Sequence, residues 1–125
     1  MHELLDIAQL VPGEESEIVS LIRERLNSGS VIYIAGTSGT PAGVIEVYNN
    51  SHIFLLFISN EAKGTGVGKI LLGYVKGRLA QLGVERITVN SSPNSVGFYK
   101  SQGFLQLAGE EEVHGIRSVK MQLLL

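Results

Sequence analysis

Hydrophobic and polar positions follow two periods along the chain, one helical and one alternating. Glu14, Glu15 and Glu17 precede a helical stripe of Ile18, Leu21, Ile22 and Leu26. The acidic residues stand where a helix N-terminus favours negative charge, and Gly29 lies just past the end of the stripe. Residues 31–35 and 44–48 are short strand-like runs joined by the turn-rich GTSGTPAG, a pattern that predicts a hairpin. Asn49 and Asn50 turn the chain again. Residues 52–58 are apolar at nearly every position, as expected of a central strand covered on both faces. Residues 66–82 carry Ile70, Leu71, Leu72, Val75 and Leu79 at helical spacing, and Gly83 suits the position after a helix end. Residues 86–89 predict a strand. Ser92 as N-cap, Pro93 at the first helical position and Gly103 as terminator predict a short helix. Residues 104–108 and 116–125 predict a last pair of strands around the loop GEEEVHG, whose three glutamates read as a solvated tip. Residues 1–11 suit a short helix and nearly as well an irregular apolar strand; the helix is the favoured reading. Pro12-Gly13 interrupts the chain after them.

Composition narrows the class. With 125 residues, 44% of them hydrophobic and 18% charged, the chain is expected to form one globular domain over residues 1–125. It has no cysteine, which excludes disulfides, thiolate metal sites and a cysteine nucleophile. The net charge is −2 with no basic stripe, so no nucleic-acid partner is expected. Apolar runs such as residues 53–58 fall well below the ~20 residues of a membrane span. The N-terminus carries Glu3 and Asp6 without a basic region, which argues against a secretory signal. A cytoplasmic location without membrane association is the expectation. His2, His52 and His114 are dispersed, so no metal site is expected.

Between the apolar strand and the following helix lies EAKGTGVGKILL, residues 61–72. Gly64, Gly66 and Gly68 permit positive φ and let backbone N–H groups approach a ligand. A helix N-terminus behind them, with Lys63 and Lys69 beside, makes a seat for a phosphate or pyrophosphate. Taken alone, the glycines fit a flexible turn equally well. A Walker loop fails, since Lys63 stands where its first glycine belongs and Ile70 where it needs Ser or Thr. The dinucleotide pattern fails too, because GTGVG has the wrong spacing and the next strand ends in Val89-Asn90.

The run from Lys63 to Gly68 resembles the acyl-CoA pyrophosphate loop of the GNAT superfamily of N-acetyltransferases, with lysine in place of the usual Arg or Gln. A second run, VNSSPNSVGFYKSQGF from Val89 to Phe104, resembles the other signature of that superfamily, with Ser92 where Asn is usual. The resemblance covers residues from 52 onward well, 30–50 loosely and 1–27 poorly. It implies an α/β fold with a mixed, mostly antiparallel sheet and helices on both faces, short at the N-terminus where relatives have a further strand and helix. It also implies acetyl-CoA between residues 52–58 and 86–89. Cofactor contacts would come from backbone groups of Phe57, Ile58 and Ser59, from Lys63, Gly64, Thr65, Gly66, Val67, Gly68 and Lys69, and from Ser92 and Asn94.

Acetyl transfer to an amine needs a neutral amine, a polarised carbonyl and a proton for the departing thiolate. Tyr99 stands where relatives keep the tyrosine that protonates the sulfur; its alternative is packing beside Phe98. His52 falls where histone-type members keep a glutamate base, and its unperturbed pKa of ~6.5 leaves it mostly neutral at pH 7. A histidine bonded to a neighbouring backbone carbonyl is the alternative there. Glu46 is a second candidate base and ordered water a third. Period-two alternation predicts His52, Phe54, Leu56 and Ile58 on one face. The implied function is transfer from acetyl-CoA to a primary amine of a small molecule, a peptide N-terminus or a lysine. A CoA-binding module without catalysis and a structural subunit completed by a partner are the rivals. An open edge left by a short N-terminus predicts a homodimer.

Overall fold

The computed structural model describes residues 3–4, 29–37 and 40–125. Among them the strands are β1 (Glu3–Leu4), β2 (Ser30–Thr37), β3 (Thr40–Tyr48), β4 (His52–Ile58), β5 (Arg86–Ser91), β6 (Leu105–Gln106), β7 (Glu111–Val113) and β8 (Ile116–Leu124). The helices are α1 (Val67–Gln81) and α2 (Val96–Ser101), with 3₁₀ turns at Asn60–Ala62 and Pro93–Ser95. The sheet runs β1-β2-β3-β4-β5-β8-β6, and β7 pairs with the outer part of β8. Among the described residues only β4 and β5 pair in parallel; the other pairings are antiparallel. This is the mixed, mostly antiparallel α/β sheet expected. The helix expected from Glu14 lies outside the described residues.

α1 forms because its apolar positions recur every three to four residues. Val67, Leu71, Leu72, Val75 and Leu79 are all buried against the sheet, where they meet Ile45, Val47, Ile53 and Ile87. Gly43 allows the closest approach, since a Cβ there would stand 2.8 Å from Ile58 Cδ1 and 3.0 Å from Val67 Cγ1. α2 packs beside α1 on the same side. Lys76 Nζ donates to the Gln102 carbonyl at 2.6 Å, and Phe98 lies against Gly68.

Two expectations near the chain's beginning and end are corrected. Glu3 and Leu4, in the stretch favoured as helix, pair with Gly36 and Ala35 as a strand. The sheet edge beside β2, expected to be bare, carries this two-residue strand. At the far end, Glu111–Val113 is not a loose tip but pairs with β8, because His114 and Gly115, at φ +52° and +78°, close a two-residue turn of the kind that matches strand twist.

Candidate active site

The site begins with one extra residue in β4. Glu46 pairs with Leu55, but Val47 pairs with Ile53, so β3 advances by one position where β4 advances by two. Phe54 is the additional residue of a β-bulge. A bulge reverses the alternation of side chains beyond it. Ile53, Leu56 and Ile58 therefore face α1, whereas His52, Leu55 and Phe57 share the opposite face. The expectation that His52 lies on the face of Leu56 and Ile58 is overturned, because simple period-two counting does not survive an inserted residue.

Beyond the bulge the parallel pair ends. β4 and β5 are joined only at His52–Thr88 and Ile53–Val89. From there β4 bonds β3 alone and β5 bonds β8 alone, leaving a wedge between them. Ser59 N–H donates to the Ala42 carbonyl at 2.9 Å. Antiparallel alternation gives residue 57 the same direction, toward β3, and points the N–H groups of Leu56 and Ile58 into the wedge. Of the three backbone contacts expected, Ile58 is thus available, while those of Phe57 and Ser59 are taken by the sheet. Leu56, which the sequence did not single out, presents the second N–H to the wedge.

The wedge holds a cleft in two adjoining parts that share Leu56 and Ser95. The inner part, of ≈ 220 Å³, is bounded by Ile53, Leu55, Val89, Asn90, Ser92 and Tyr99. The outer part, of ≈ 550 Å³, reaches Phe57, Lys63, Gly64, Gly66, Gly68 and Lys69. Ser95 and Asn90 were missed by sequence reasoning, whereas Asn94 is exposed and borders neither part. Ser92 opens the 3₁₀ turn with Pro93 behind it, but its hydroxyl bonds Ser95 Oγ at 2.9 Å instead of capping a backbone N–H.

The glycine loop occupies the outer end. Ser59 Oγ accepts from Ala62 N–H at 3.3 Å, and both the N–H and the hydroxyl of Thr65 bond the Ala62 carbonyl. Thr65 therefore braces the loop from within. Gly64 and Gly66 adopt φ of +79° and +86°, and a Cβ at either would meet nothing within 4 Å, so the space above them is open to a ligand. The N–H groups of Val67, Gly68 and Lys69 precede the first helical bond, Ile70 N–H to the Gly66 carbonyl, and remain free to bind an anion. Val67 offers only its backbone, since its side chain is buried in the core. Lys69 also bears on Lys76, whose pKa is lowered by burial and then by that neighbouring charge.

Tyr99 stands at the inner end. Its ring packs edge-on against Phe98 at 5.3 Å and Phe104 at 5.2 Å and is 4% exposed. Burial pushes its hydroxyl up to about 12. His52 and Glu46 lie away from the cleft, at diagonal positions on the other face of the sheet. His52 Nδ1 is 2.8 Å from Thr88 Oγ1, on the strand it pairs with. Burial lowers its pKa below the usual histidine value. Its partner is thus a hydroxyl and not the backbone carbonyl of the alternative reading. Glu46 is 3% exposed and accepts from Ser30 Oγ at 2.8 Å, which marks it as part of the packed interior.

Fold and cleft together define a class: an α/β protein whose mixed sheet opens a wedge between two diverging parallel strands, with a glycine-rich loop at its outer end. Residues 14–125 match the family model described as an acetyltransferase (GNAT) domain. The chain belongs to the GNAT acetyltransferase family, and is by that membership an acyl-CoA-dependent acetyltransferase. Among curated proteins, none matches it in sequence. It is similar to a solved GCN5-related N-acetyltransferase from Rhodopseudomonas palustris, with TM-score 0.75 and 22% identity over 86% of this chain and 68% of that one. A GNAT family acetyltransferase from Elizabethkingia anophelis, solved with acetyl-CoA bound, gives TM-score 0.71 and 16% identity over 100% of this chain and 97% of that one. A PaiA N-acetyltransferase from Thermoplasma acidophilum, in complex with coenzyme A, gives 0.65 and 22% over 87% and 70%. At these identities the likeness establishes the fold. Among the described residues no helix is long and apolar enough to cross a membrane.

Proposed function

We propose that this protein transfers the acetyl group of acetyl-CoA to a primary amine on a small molecule, a peptide N-terminus or a lysine. The observation that carries the reading is the pair of adjoining cavities from the glycine loop to Tyr99, with free backbone N–H groups along their wall. The pyrophosphate sits on the N–H groups of Gly64, Gly66 and the first turn of α1, with Lys63 and Lys69 beside it. Pantetheine runs along β4, and the N–H groups of Leu56 and Ile58 bond it and polarise the thioester carbonyl.

The neutral amine nitrogen attacks the carbonyl carbon, the oxygen gathers charge against those N–H groups, and the carbon–sulfur bond breaks as the carbonyl re-forms. The nitrogen gives up its proton and the sulfur gains one. Tyr99, protonated at any physiological pH, donates its O–H to the departing sulfur. The proton that Tyr99 gives up is replaced from solvent, into which the proton taken from the amine is released, so the products are the amide and the free thiol and the phenol ends the cycle protonated. His52 takes the amine proton, directly or through water. The hydroxyl of Thr88 holds Nδ1 and leaves Nε2 to act. Glu46 is the weaker candidate because it is enclosed and already bonded. The test is acetyl-CoA turnover across a panel of amines, run beside CoA binding by calorimetry. Tight CoA binding with no thiol released by any amine would favour a binding module without catalysis.

A homodimer is part of the same reading. Leu105, Leu107, Val113 and Ile116 are all more than half exposed at the C-terminal side of the sheet, an apolar surface that a second copy would cover.

A further inference from the structure

The bulge that redirects β4 also turns Leu55 and Phe57 outward, on the face that carries His52. Leu55 is 43% exposed and Phe57 60% exposed, although both stand in a strand apolar at nearly every position. Leu55 borders the inner cleft and Phe57 the outer, so they form an apolar ledge along the wedge in which the thioester is placed. Charge along the cleft is one-sided. Lys63 and Lys69 are the charged side chains that border it among the described residues, and no carboxylate does.

We propose that the acceptor is a primary amine with an apolar aryl or alkyl body, seated on Leu55 and Phe57; this rests on the acetyl-transfer reading above. Burying these two side chains under an apolar body removes surface that is otherwise held against water. A polyamine offers the ledge no apolar body to cover it, and no carboxylate among the described lining residues is there to receive its additional charges. An apolar surround also disfavours the ammonium form and raises the fraction of neutral, attacking amine. The ledge therefore selects the substrate and helps to deprotonate it. That reduces the demand on His52, which shares the face of the ledge but lies outside the cleft.

The experiment compares kcat/KM for 2-phenylethylamine and spermidine at saturating acetyl-CoA in the intact protein, in Leu55→Ser and in Phe57→Ser. Phenylethylamine is expected to exceed spermidine by about tenfold or more, the scale of apolar discrimination in a pocket. Leu55→Ser is expected to erase most of that ratio by raising the KM for phenylethylamine. A wild-type ratio of one or less overturns the proposal, and so does a ratio unchanged in both folded variants. Should neither variant fold, the wild-type ratio alone decides. Binding of acetyl-CoA with no thiol release from either amine or any other defeats the transfer reading itself, an outcome distinct from transfer that prefers spermidine.

Discussion

Replacing Tyr99 with phenylalanine separates its chemical role from its packing. The ring meets Phe98 and Phe104 edge-on at 5.3 and 5.2 Å, contacts that phenylalanine reproduces. The hydroxyl makes no hydrogen bond among the described residues, so its loss is expected to change stability at pH 7 by less than about 1 kcal/mol. Turnover is expected to fall by ~10²- to 10⁴-fold, the range for a lost proton donor, or about 2.7–5.4 kcal/mol of barrier. CoA affinity is expected to stay near wild type. Alkaline unfolding supplies a second readout. Burial raises the hydroxyl from 10.0 to about 12, so above pH 10 the folded protein holds this proton more tightly than the unfolded chain does. Its contribution to stability is present below pH 10 and is lost as pH rises toward 12. Two units correspond to roughly 2–3 kcal/mol. Denaturant titrations from pH 8 to 12 should therefore show wild type losing that much more stability than Tyr99→Phe. Full activity in the variant would return Tyr99 to a packing role. Parallel pH–stability curves would refute the burial argument.

Gly66→Val places a side chain over the anion seat and should weaken CoA binding by tenfold or more. At φ +86° a β-branched residue is also strained, so thermal unfolding should show a loss of about 1–3 kcal/mol; unchanged CoA affinity in a folded variant would remove the loop from the site. If His52 is the base, log kcat/KM rises with pH through a transition below the usual ~6.5, because burial lowers its pKa. His52→Ala should abolish that transition, and a profile untouched by it would pass the role to water or Glu46. Thr88→Val removes the partner of Nδ1 and is expected to lower kcat about fivefold, the equivalent of ~1 kcal/mol, with CoA affinity unchanged. Light scattering at high concentration should report a dimer, and a monomer there would count against the exposed C-terminal surface as an interface.

How the elements run was legible in the chain because it depends on local spacing. The stripe of Leu71, Leu72, Val75 and Leu79, the terminators Gly83 and Gly103, and Pro93 at a helix start act within a few residues of themselves, and each stands where expected. The glycine loop was legible for the same reason, since positive φ at Gly64 and Gly66 is a property of residue type. Periodicity could not foresee the bulge at Phe54, which arises from pairing between two strands and leaves no mark in either alone. That one residue decides which face His52 takes. With the register set by Ser59 against Ala42, it also decides which N–H groups enter the cleft: Leu56 and Ile58, and not Phe57 or Ser59. Thr88, 36 positions from His52, becomes its partner only when β5 is laid beside β4. Local sequence sets backbone preference over a turn or two of chain, whereas side-chain direction and hydrogen-bond supply in a sheet are properties of a pair of strands, and only the assembled structure contains the pair.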